Sequence, residues 1–529
     1  MKNLLTKFGI VLLFAGLLQL PENAYSGKST QDTYPDHFLA DESAPMFRDA
    51  FHDNESKAAE YSADTVRVDT NPRKESVPDV EIINQTFLGN WERNYYGQNA
   101  PASLNIIWKH YLGKGTTIIS RSLGSREWEG AGWTGQPLMV REGKDTFLIQ
   151  GAYDHHLKKI NATNGELVWQ YKFNDVVKGT GTIWDNSADK DIEHKWIILQ
   201  GSRLGTHHYF DADKIFSYRA ISYIKGTELW RHNSKMTQSY SRDVDASALI
   251  WRDTAYIGLE NSYFTLFNPD PDAASTDGSY HYPLIYDQHI LYDAQDVKDH
   301  KFNVVTEASP CKIGRMIYIS SGSGHIWGYD MDRNELTWDF YIGSDMDGSP
   351  VVTSDSCLIV TIEKQYIEGQ GGMLKVDPSK KPEDAVVWFL PVENDDKTSW
   401  EGGVIGSAGI SDAYNNAKLA ACMAIDGHLY VVRHDVLSGK LVTGFDGKTM
   451  MPVPKLIFSY KIGASISTPV FDEDRLLACG YEGIYLFSYL DEEFSLLDSK
   501  PFVVESTPFF YNERIYIASR NGNLYCLGN

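Results

Sequence analysis

Long hydrophobic runs are almost absent from this chain. After Phe8–Leu18 no comparable stretch follows, and that one is too short to cross a bilayer. The sequence therefore predicts no transmembrane segment and a soluble mature protein. Clusters of basic residues are missing too. With a formal net charge of -22 and no Lys/Arg patch to offset it, binding of nucleic acid through its phosphates is excluded. Cysteine is scarce: Cys311, Cys357, Cys422, Cys479 and Cys526 stand far apart, with no adjacent pair and no haem-attachment Cys-x-x-Cys-His. Equivalent positions on neighbouring sheets lie roughly 10 Å apart, beyond the ~7 Å that a disulfide can bridge. The five are expected to be buried fillers.

What is present begins with a basic start, Lys2 and Lys7, then the Phe8–Leu18 run and the small residues Ala24-Tyr25-Ser26. This reads as a signal peptide over 1–26, which predicts a secreted or periplasmic protein. Residues 27–89 are polar and without periodicity, the composition of a flexible lead. From 90 to 529 aromatic and β-branched residues alternate with turn residues, an all-β pattern.

Two phrases recur within that region. Glu307-Ala-Ser309-Pro310, Asp347-Gly-Ser349-Pro350, Ile466-Ser-Thr468-Pro469 and Glu505-Ser-Thr507-Pro508 each precede an apolar hairpin, and Pro310 to Pro350 spans 40 residues, Pro469 to Pro508 39. That period is one four-stranded propeller blade. The second phrase is strand, Gly or Asn turn, strand, as in Asn164-Gly165-Glu-Leu-Val-Trp169, Gly226-Thr-Glu-Leu-Trp230 and Asn334-Glu-Leu-Thr-Trp338. Its turn needs φ > 0, which Gly and Asn supply cheaply. Asp330-Met-Asp332-Arg-Asn334 imitates the start of a calcium loop, but Glu335 stands where such a loop needs Gly and Tyr341 where it needs Glu, so an ordinary hairpin turn is expected. The fold predicted is a single all-β propeller of about eight four-stranded blades, with seven as the alternative. The strand Leu104–Tyr111 completes the last blade and closes the ring.

The Ser/Thr-Pro strand, the Gly turn and the closing Trp together resemble the blades of the quinoprotein-like (pyrroloquinoline-quinone-like) β-propeller family. Asn90-Trp91-Glu-Arg-Asn-Tyr-Tyr96-Gly97 and Ile107-Trp108-Lys109 are similar to that family's lead-in to the first blade. The resemblance implies the fold. Its implications for function diverge, because the family holds quinone- and calcium-dependent alcohol and sugar dehydrogenases as well as outer-membrane assembly scaffolds. The dehydrogenases often ring their quinone with adjacent cysteines, which this chain lacks, so pyrroloquinoline quinone is not the expected cofactor.

In a propeller the first strand of each blade starts at the face to which the turn between its second and third strands returns. Aligned first-strand starts are Thr134, Lys178, Asp245, Glu307, Asp347, Glu401, Ile466 and Glu505, and the turns add His155, Arg203, Glu260, Glu363, Lys364 and Arg520. With Arg242 as a further base and Trp133 and Trp400 as stacking faces, these define an acidic mouth. It is suited to a cation, a protein partner, or a glycan or other polyol. Asp245, Glu307 and Asp347 are the expected metal ligands, with calcium the candidate ion and no cofactor otherwise assigned. Crowded carboxylates raise one another's pKa unless a cation or a base offsets them. The competing readings are a solvated mouth with no ligand and a quinone-dependent dehydrogenase. The favoured reading is an exported non-enzymatic propeller that binds a ligand, cation or partner there.

Overall fold

The computed structural model describes residues 78–120, 124–203, 214–394 and 400–529. The expected signal peptide and most of the expected flexible lead lie outside the described residues. Eight sheets succeed one another along the chain, antiparallel apart from Gly97–Gln98, which runs parallel to the last first strand, and their first strands are Leu138–Glu142, Thr182–Asp185, Leu249–Trp251, Cys311–Ile313, Val351–Val352, Gly409–Ile410, Val470–Phe471 and Phe509–Tyr511. These are blades 1 to 8 of a β-propeller, which decides between the eight- and seven-bladed expectations. Asn105–Tyr111 pairs antiparallel with Asn523–Gly528 as the outer strand of blade 8, so a strand that precedes blade 1 and the last strand share one sheet and the ring has no open seam.

Both repeated phrases turn out to join blade to blade. The backbone N–H of Ser247 donates to Ser309 Oγ at 2.8 Å, Ser309 to Ser349 at 2.8 Å, Ser349 to Ser407 at 2.9 Å and Ser407 to Thr468 Oγ1 at 3.2 Å. The hydroxyl of the Ser/Thr-Pro phrase thus satisfies an amide that its neighbour's first strand leaves open. On the outer strands the indole N–H groups of Trp108, Trp169, Trp230, Trp338 and Trp388 donate to Ala162, Tyr223, Pro269, Lys380 and His434 carbonyls of the following blade, at 2.9 to 3.1 Å. Gly165 (φ +78°) shows why its turn takes no side chain, since a Cβ there would lie 2.7 Å from the Trp108 ring. The Asp330 to Asn334 segment is a turn of the same kind, with Asn334 at φ 59°. All five cysteines are buried and free.

The boundary expected near residue 90 falls earlier. Val80–Asn84 pairs with the first strand of blade 1, and Phe87 and Leu88 are wholly buried, because the segment that follows crosses the ring. Gln85–Ala100 hydrogen-bonds to all eight blades. Leu88 N–H donates to Gln136, and Gln85 O accepts from Ile183 N–H. Phe87 N–H donates to Ser247 Oγ and Arg93 to Pro310 O. Glu92 O accepts from Val352 N–H, and Tyr96 OH accepts from Ile410 N–H. Ala100 N–H donates to Asp472, and Tyr96 O accepts from Phe510 N–H. Ile183, Val352, Ile410 and Phe510 lie on first strands, Gln136, Ser247 and Pro310 one or two residues before theirs and Asp472 one after. The strap therefore closes the channel on one side and leaves a well that opens where those strands begin.

Candidate functional site

Four residues before each first strand stands the residue that faces the open end of the well: Thr134, Lys178, Asp245, Glu307, Asp347, Ile405, Ile466 and Glu505. Seven of these match the sequence alignment. Blade 6 does not, since Ile405 holds the position expected for Glu401. Glu401 itself, four residues earlier, is exposed, and its charge acts on Glu363.

This one shift divides the well into two walls. Trp133, Trp400, Ile405, Ile425 and Ile466 form a buried apolar cluster with Tyr481 against it, so both expected stacking tryptophans lie on the same side. Beside them Glu505 accepts from Arg520 Nη1 at 2.8 and 2.9 Å and from Tyr481 OH at 3.1 Å. Gly132 lets the Trp133 backbone approach that pair, since a Cβ there would meet Tyr153 OH at 1.7 Å and Glu505 Oε2 at 2.8 Å.

Blades 3 to 5 supply the acidic wall. Asp245, Glu260 and Glu307 each offer an oxygen, and these oxygens lie within 4.8 Å of one another. Asp245 (1% exposed) and Glu260 (3%) are closed off from solvent, and Asp245 Oδ1 and Glu260 Oε1 have no hydrogen-bond partner among the described residues. Glu260 Oε2 accepts from Ser241 Oγ, and Lys178 Nζ lies 2.6 Å from Asp245 Oδ2. Of the three expected metal ligands, two belong to this group and Glu260 joins them. The third, Asp347, sits one blade on with Glu363 and Asp345, and Asn303 Nδ2 donates to Asp345 Oδ2 at 2.7 Å.

Burial and mutual repulsion dominate the electrostatics of this wall. Desolvation pushes Glu307 up to about 8, with Lys178 opposing and Asp245 and Asp345 adding to it. Asp245 rises to about 6 by burial, partly offset by Lys178. Asp345 rises to about 6 by burial, against its hydrogen bonds to Asn303 and Asp347. Glu260, Asp347 and Glu363 are pushed well above the carboxylate range by burial and then by neighbouring acids.

Lys178 and Arg520 thus pair with ring acids, whereas the other expected bases make contacts elsewhere. Arg203 faces Asp243 at 3.6 Å, Arg242 Nε donates to Ser234 O, and Lys364 Nζ donates to the Ile367 carbonyl and not to the acids. His155 is engaged at the rim, its Nε2 3.0 Å from Thr116 O. That carbonyl belongs to a feature absent from the sequence reading, a hairpin of Lys114–Ser120 and Gly124–Glu129. Its Trp128 packs on Tyr153, ring centroids 5.1 Å apart, and carries the Arg203 and Arg520 guanidinium groups at 5.2 and 5.9 Å. The hairpin thus roofs the blade 8, 1 and 2 sector and leaves the acidic sector to other elements. Asp243 and Asp345 were also missed, although each stands two residues before an identified acid, at the spacing that returns a side chain to one face of an extended chain.

An eight-bladed β-propeller with one acidic and one apolar wall at the open end of a plugged channel is the class that fold and site define. No family model and no curated protein matches the chain. Among solved structures it is similar to BamB from Moraxella catarrhalis, at 12% identity over 72% of this chain and 94% of that one, TM-score 0.48. It is also similar to quinohemoprotein alcohol dehydrogenases from Comamonas testosteroni (11%, 84% and 80%, TM-score 0.49) and Pseudomonas putida HK5 (11%, 84% and 79%, TM-score 0.48). The eight-bladed propeller fold rests on the chain's own strand order. No helix among the described residues is long and apolar enough to cross a membrane.

Proposed function

We propose that this is an exported, non-enzymatic propeller whose acidic wall binds a hard divalent cation, calcium first among candidates. Asp245, Glu260 and Glu307 are the ligands in this reading, and the ion presents its open positions to a hydroxyl-rich ligand or a partner group at the mouth. The observation that carries the reading is the convergence of three carboxylates with buried, unpartnered oxygens at Asp245 and Glu260. Isolated buried carboxylates are costly, and a bound cation removes that cost. Calcium accepts all-oxygen sets at 2.3–2.6 Å and tolerates irregular geometry. The apolar wall of Trp133, Trp400 and Tyr481 suits the C–H face of a polyol whose hydroxyls reach the ion.

Isothermal titration of the mature chain with calcium tests the reading. Binding of one ion per chain is expected, with loss of at least tenfold in affinity in Glu260→Gln. Calcium binding unchanged in Glu260→Gln, or absent from both this chain and Lys178→Met, overturns it. The rival class is tested with the same sample. Dye-linked alcohol or sugar oxidation on addition of pyrroloquinoline quinone and calcium would make the protein a dehydrogenase instead.

A further inference from the structure

Lys178 is the blade 2 residue at the ring position that acids hold in blades 3, 4 and 5. Its Nζ is 2.6 Å from Asp245 Oδ2, with both side chains buried. A metal ion shared by Asp245, Glu260 and Glu307 would lie about 2.3–2.6 Å from each ligand oxygen. The ammonium, at its present distance from one of those oxygens, would then stand within roughly 5 Å of the ion, where like charges in a desolvated well repel strongly. Ammonium and metal ion therefore compete for Asp245.

We infer that Lys178 is a tethered counter-ion: it holds the acidic site together when no metal is bound, and an incoming divalent cation must displace it from Asp245. The inference rests on the cation reading above and adds a regulator to that site. Its consequence is a weakened affinity, because part of the binding free energy goes to moving an ammonium away from its carboxylate. The four-carbon stem permits this, since lysine reorients a point charge without a fixed fork of donors.

The test compares calcium binding by the full mature chain, Lys178→Met and the double variant Lys178→Met/Glu260→Gln, by titration calorimetry and by the calcium-induced shift in melting temperature. Lys178→Met is expected to bind one calcium roughly tenfold or more tightly than the unaltered chain, with a larger melting shift, and the double variant is expected to lose the gain. If the unaltered chain binds too weakly to measure, binding by Lys178→Met that disappears in the double variant supports the inference. Equal or weaker binding by Lys178→Met overturns it while leaving the cation reading intact. Absence of binding from every variant overturns both. Should Lys178→Met fail to fold, Lys178→Gln keeps a hydrogen-bond donor for Asp245 without the charge, and the same outcomes apply.

Discussion

Arg93 is wholly buried at the strap and has no carboxylate partner among the described residues. Its guanidinium donates to Pro310 O at 2.9 Å, Phe87 O at 2.7 Å and Thr86 Oγ1 at 2.9 Å, and burial lowers its pKa to about 9. Two of its contacts, Pro310 and Ser247 O at 3.4 Å, lie a few residues past Glu307 and Asp245. Its guanidinium thus bonds to the chain a few residues along from the acidic wall. Arg93→Ala would leave several carbonyls without donors in a closed interior. A loss of about 3 kcal/mol or more is expected, measured by chemical denaturation. A stability change under 1 kcal/mol would show that water replaces the guanidinium there. The corrected position of Glu401 is a lesson at the same scale. Ile405-Gly-Ser407-Ala408 lacks both the acid and the proline of the phrase, so only the Ser407 hydrogen bonds mark it as the blade 6 copy. That mark is a contact between blades and is invisible in one strand's sequence.

At the scale of single elements, the outer-strand tryptophans and the turns of the following blades act as pairs. Trp388 is fully buried and bonds to His434 O, and Lys375, its partner on the adjacent strand, places Nζ 3.2 Å from the same carbonyl. Trp388→Ala removes a large packed side chain and a blade-to-blade hydrogen bond together. It is expected to cost about 3–5 kcal/mol, read as a fall in the denaturation midpoint. A cost close to that of an exposed substitution, under about 0.5 kcal/mol, would mean that the interface repacks. These elements were legible beforehand, because a Gly or Asn turn followed by an apolar strand is local chemistry that recurs. The strap and the Trp128 hairpin were not. Each is unique in the chain, and the strap's residues read as polar because their amides and carbonyls, more than their side chains, hold them in place.

For the whole molecule, the raised acids of the well set a pH dependence with a definite sign. Glu307, at about 8, and Asp245 and Asp345, at about 6, hold protons more tightly folded than unfolded. Between the ordinary carboxylate range and pH 8 the native state therefore binds more protons, and stability falls as pH rises. Melting measured in chelator should drop steadily from pH 5 to pH 8.5, and calcium should restore the loss at the upper end. A melting temperature independent of pH over that interval, with no calcium effect, would contradict the account of the well. Glu307→Gln should flatten the chelator profile at its alkaline end while weakening calcium binding.

Gly97–Gln98 and Asn105–Tyr111 join the last strands in blade 8, and the strap bonds to partners as far along as Phe510. Seven blades can be laid down as the chain lengthens, but Gln85–Ala100 has its full set of partners only after the final strands exist. Residues made before any blade is complete are thus among the last to be secured. Folding of this propeller is consequently a closing event, with loop entropy spent over nearly the whole length before the central bonds repay it. A chain that stops short of residue 509 lacks the lock that holds its other blades to a common axis.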